Sequence, residues 1–120
     1  MKHLPVVLAA ALLAAPATAQ PAPAPQLSLE HRMLLRCSAA FALIVYRQQA
    51  GDADVAQYPP LKERGGEFFV RASARVMDEA GLGRPAISDL LMSEARALLQ
   101  GGTLTAVMPV CLSVLEGSER

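Results

Sequence analysis

The side chains with the most distinctive chemistry are two cysteines, Cys37 and Cys111. Each stands among apolar residues at helical spacing. Cys37 follows Leu29 and Met33 and precedes Phe41 and Ile44, while Cys111 follows Leu104, Val107 and Met108 and precedes Leu115. Two thiols on the apolar faces of their helices pair when the compartment is oxidising. The bridge would close about 75 residues and stabilise the fold by about 4 kcal/mol in the chain-entropy account. Two buried free thiols are the alternative. A redox-active pair is a third reading, but the Cys-x-x-Cys spacing that lowers a thiol pKa is absent.

The second candidate is the stretch Arg64-Gly65-Gly66-Glu67-Phe68-Phe69-Val70-Arg71. Two glycines ahead of a helix leave backbone N–H groups open. With arginines close by, such a turn can hold an anion. Arg64, Gly65, Gly66 and Arg71 are therefore the candidate anion-binding residues. The stretch lacks the Lys-Ser/Thr of a phosphate loop and the third glycine of a dinucleotide site. Glu67 would oppose an anion. The plainer reading is a flexible turn whose Phe68-Phe69 pair plugs the core.

Other chemistries find little support. Beyond residue 20 the only histidine is His31, expected as a solvated surface group, and no metal-ligand spacing occurs. No Gly-x-Ser-x-Gly elbow is present. Asp52 and Asp54 read as helix-start acids. Asp78 and Glu79 are adjacent, so their side chains diverge on a helix. The stripe Arg32, Arg36 and Arg47 reads as a solvated face. No catalytic residue, metal or cofactor is expected.

These residues sit in a chain of 120, of which 52% are hydrophobic and 18% charged, with a net charge of zero. One domain fits that length. The neutral balance argues against a nucleic-acid partner. Met1-Lys2-His3 is a positive start, Leu4 to Ala15 is an apolar run, and Ala17-Thr18-Ala19 is a small-x-small site. Together they predict a secretory signal peptide over residues 1–19, cleaved after Ala19. The run is too short to span a bilayer, so no membrane association is expected after cleavage. The general secretory route leads to the periplasm, or outside the cell. Residues 20–27 carry alternating prolines and read as an extended spacer.

From residue 28 the pattern is helical. Ser28 is an N-cap for a helix over 29–50, apolar on most sides from Phe41 to Tyr46, and the central strut of the fold. Gly51 ends it. Asp52 and Asp54 cap a short turn, and Tyr58-Pro59-Pro60 stops it. Lys62 to Gly66 reads as a polar connector. The second helix spans Glu67 to Ala80 and the third runs from Pro85 to Gln100. Thr103 caps a fourth, which Pro109 kinks or splits. The prediction is an all-α, four-helix bundle-like domain over 28–116, stapled by one disulfide, with a tail over 117–120. Three helices covering an apolar strut leave some of its surface open, which suggests a partner or a self-association face.

This plan is similar to the small periplasmic acid-stress chaperones of the HdeA type: exported, helical and joined by one disulfide between distant helices. The resemblance covers architecture and a proline just before the second cysteine, here Pro109 before Cys111. Those chaperones are lysine-rich, and this chain is not. It implies a stress chaperone and carries over no functional residue. The expected role is a non-enzymatic interaction or structural protein with a protein partner. The alternatives are an HdeA-like chaperone and a small-anion binder at Gly65-Gly66.

Overall fold

A computed structural model describes residues 2, 3, 5, 10–17 and 26–120. The elements are α1 (Leu29–Gln49), a 3-10 turn (Ala53–Val55), α2 (Lys62–Ala80), α3 (Arg84–Leu98) and α4 (Thr103–Ser118). No strand occurs among the described residues. The expected cleavage site after Ala19 and most of the spacer lie outside those residues. Residues 10–17 have no regular secondary structure, and Leu12 and Leu13 are 96% and 95% exposed.

The start of α1 follows from its cap. The Ser28 hydroxyl accepts the His31 backbone N–H at 3.0 Å, satisfying a donor the helix cannot pair itself. Glu30 stands in the first turn and Arg47 in the last, each on the side the helix dipole favours. Gly51 leaves the helix at φ +72°, a left-handed turn that suits glycine. The Asp52 carboxylate then accepts the Asp54 N–H at 2.9 Å and starts the 3-10 turn. As expected of a strut, α1 touches every other element. The buried Ser38 hydroxyl donates to the Leu34 carbonyl at 2.7 Å, so it costs the core no unpaired group.

The second helix corrects the sequence reading. It begins at Lys62, so the expected connector Lys62–Gly66 forms its first turns. The cause lies in α1. Gln48 Nε2 donates to the Pro59 carbonyl at 2.9 Å, and Gln48 Oε1 accepts the Leu61 N–H at 3.2 Å. That clamp fixes the chain just after Pro59-Pro60, and the fully buried Leu61 anchors it. Gly65 N–H then closes the first helical bond on the Leu61 carbonyl at 2.8 Å.

Gly81, at φ +66°, ends α2, and Pro85 sits in the first turn of α3 as expected. α3 stops at Leu98, short of Gln100. The N-cap of α4 is Gly102; Thr103 is already helical, and its hydroxyl donates back to the Gln100 carbonyl at 2.6 Å. α4 is one element through Pro109. That proline and Thr105, whose carbonyl loses its helical donor, are both exposed residues. The helix runs on to Ser118, past the expected limit at residue 116.

Two apolar clusters join the helices. The larger gathers Phe41 and Ile44 of α1, Phe68 and Ala72 of α2, Leu98 of α3, and Leu104, Met108 and Leu115 of α4. Cys37 and Cys111 lie inside it, fully buried and bonded to each other, with Cα atoms 5.2 Å apart. The smaller joins Leu35, Val76 and Ile87.

Candidate functional site

The α1–α2 pair leaves a cleft on its outer side. α1 presents Phe41, Ala42, Val45, Tyr46 and Gln49; α2 presents Lys62, Gly65, Gly66 and Phe69. The volume is about 290 Å³, and the walls are mainly apolar. The arrangement comes from α1 being apolar on more sides than its neighbours cover. Phe41 and Ile44 face the core, while Tyr46, two residues further on, is 74% exposed. Of the Phe68-Phe69 pair, only Phe68 plugs the core; Phe69 is half-buried and lines the cleft.

The two glycines at this cleft have opposite environments. A Cβ on Gly65 would lie 3.2 Å from the Phe41 Cβ and 3.5 Å from that of Leu61. A Cβ on Gly66 would meet nothing within 4 Å. Gly65 therefore lets α1 and α2 approach, and Gly66 has no such task. Gly65→Ala should destabilise by about 1 kcal/mol, as overpacking outweighs the gain in helix propensity. Gly66→Ala should stabilise by about 0.5–1 kcal/mol. Urea unfolding of the two variants checks the pair of signs. Equal signs would mean that the helix contact at Gly65 yields easily.

The candidate anion-binding residues are placed differently from expectation. Gly65 and Gly66 lie within α2, so they do not offer the free N–H groups of a helix start. Arg64 is held by the chain's own carboxylate: its Nε donates to Glu119 at 2.9 Å and its Nη2 at 2.6 Å. Arg71, two turns on and on the same face, adds to the field at Glu119. The hydrogen bond from Arg64 holds the Glu119 carboxyl below its ordinary range. The tail thus docks on Arg64, while Arg71 acts on it only through its charge.

A second ionic group ties the start of α1 to the end of α2. His31 Nε2 lies 2.7 Å from Glu79 Oε2. Arg75 donates to Glu79 at 2.8 Å and to Glu30 at 2.9 Å. The His31 hydrogen bond first, then that from Arg75, lowers the Glu79 pKa. His31 was expected to be solvated, but its side chain is only 12% exposed, because Glu79 draws it across the α1–α2 contact. Its Nδ1 is enclosed and meets no protein partner. Arg36, expected on a solvated stripe, bonds Glu94 of α3 at 3.0 Å.

Among the described residues, no three histidine, cysteine or acidic side chains converge as a metal site, and no helix is long and apolar enough to cross a membrane. The cleft residues Val45, Tyr46 and Phe69 escaped the sequence reading of sites. For Val45 and Tyr46 the signal was the all-round apolarity of α1, which pointed to an open face without locating it. The chain matches no protein-family model, no curated protein and no solved structure.

Proposed function

We propose that this is an exported, non-enzymatic helical protein that acts by binding through the α1–α2 cleft. The observation that carries this reading is the uncovered apolar cleft, set on a core whose two cysteines are bridged. The bridge fits an oxidising compartment. The leader pattern of residues 1–19 supports export to the periplasm. Native mass spectrometry of the protein from its own cells, without reductant, tests the reading. The expected species begins at Gln20, is oxidised, and carries a bound molecule or partner that Gly66→Leu displaces. A reduced chain beginning at Met1, or an oxidised one always bare, overturns it.

A second reading, an acid-stress chaperone, is favoured by the two ionic groups that join distant parts of the chain. Glu79 and Glu119 both titrate below the ordinary carboxylate value of 4.5. Their contribution is complete above that value in the unfolded chain and is lost as pH falls through the depressed folded-state values. Melting temperature should therefore fall below about pH 4.5, and fall less steeply in Glu79→Gln and Glu119→Gln. A protein that stays folded and leaves client aggregation unchanged in acid removes the chaperone reading.

A further inference from the structure

The charge around the cleft selects among the molecules that could fill it. We infer that the α1–α2 cleft takes a small amphiphilic carboxylate, its apolar body against Phe41, Val45 and Phe69 and its head group at Lys62. The inference rests on the reading of the cleft as the binding site and names its ligand class.

Lys62 is the cleft's only charged wall residue; no aspartate or glutamate lines it. It is the one lysine beyond Lys2. Lys62, like Arg71 and Arg84, enters none of the ion pairs among the described residues, but it alone of these lines the cleft. An ammonium at the edge of an apolar cleft complements a ligand with one anionic end. Gln49 and Tyr46, also in the wall, carry further hydrogen-bond donors.

Gly66 is the second observation. The fold does not need a glycine there, since a side chain would meet open space. Its absence leaves bare helix backbone in the cleft wall, where an alkyl chain or flat ring can lie close against α2. Size is the third. A cleft of about 290 Å³ suits a short alkyl chain or a single ring. A protein partner needs about 800 Å² on each side. From residue 26 on, the exposed large apolar residues are instead scattered over all four helices and the end of α3: Leu29 and Tyr46, Val70, Met92, the α3 C-cap Leu99, and Val110. Of these, Tyr46 alone lines this cleft.

Decanoate is the probe, titrated into the oxidised protein and followed by the amide shifts of Gly65 and Gly66 and the ring signals of Tyr46. Saturable shifts confined to the cleft are expected. Lys62→Ala should weaken binding about tenfold, the weight of one charge-assisted hydrogen bond, and Arg64→Ala should leave it unchanged. Decanol should bind about tenfold more weakly than decanoate. Gly66→Leu should abolish the shifts while its melting temperature stays at or above that of the parent, which separates blockage from unfolding. Equal affinity for decanol, or no effect of Lys62→Ala, overturns the carboxylate assignment and leaves the cleft as a binding site. A protein partner seated there, with decanoate inert, overturns the ligand class alone. If decanoate is inert and the native species is bare, both readings fall.

Discussion

Replacing Cys37 and Cys111 together by alanine, or reducing the bridge, should lower the unfolding free energy by about 4 kcal/mol. The bridge joins residues 74 apart, so it removes a large loop's worth of freedom from the unfolded chain. For a domain this small the loss corresponds to roughly 15–30 °C in melting temperature. It is also a large share of the 5–15 kcal/mol that holds a typical domain together. The position of the bridge adds a local effect. It fastens α4 to the middle of α1, and α4 contains Pro109, so its own helical ladder is one bond short. Calorimetry with and without reductant measures the total. Hydrogen exchange should show α4 losing protection before α1 and α2. A reduced protein that melts within a few degrees of the oxidised one would mean that packing of Met108 and Leu115 alone secures α4.

Phe41→Ala should cost about 3–5 kcal/mol. Phe41 is 1% exposed and lies in the larger core cluster. Its ring meets that of Phe68 edge to face, with centroids 5.3 Å apart and planes at 80°. Its Cβ is also the atom against which Gly65 fits. Truncation removes the apolar burial, the aromatic pair and part of the cleft floor at once. The aromatic share, about 0.5–1.5 kcal/mol, is separable by a double-mutant cycle with Phe68→Leu. Urea unfolding gives the total. A cost below about 1 kcal/mol would show that the α1–α2 contact collapses into the vacated space.

The effects of these substitutions draw on residues whose role was unevenly legible. The cap at Ser28, the left-handed glycines at 51 and 81, and Pro85 at the start of α3 are local devices, and their residue types announce them. The apolar spacing around Cys37 and Cys111 placed both thiols in a common core, and they are bonded there. The start of α2 was misplaced because Gly65-Gly66 has poor helix propensity and resembles a break. What overrides propensity is the Gln48 clamp on Pro59 and Leu61 and the close fit of Gly65 on Phe41, both contacts between segments distant in sequence. The same shift turned a candidate anion turn into ordinary helix and made Arg64 a partner of Glu119.

By itself, then, the sequence determined the number and type of elements, the caps at Ser28, Asp52 and Gly81, and the disulfide, because each depends on period, on local backbone preference or on burial along one helix face. The tertiary structure decided which apolar residues stay open, which arginines are neutralised and that Lys62 stands at the cleft without a carboxylate. Those outcomes depend on how the helices are turned against one another. Helix rotation is set by the fit of side chains such as Phe41 and Gly65 across the interface, which no periodicity within a single helix records.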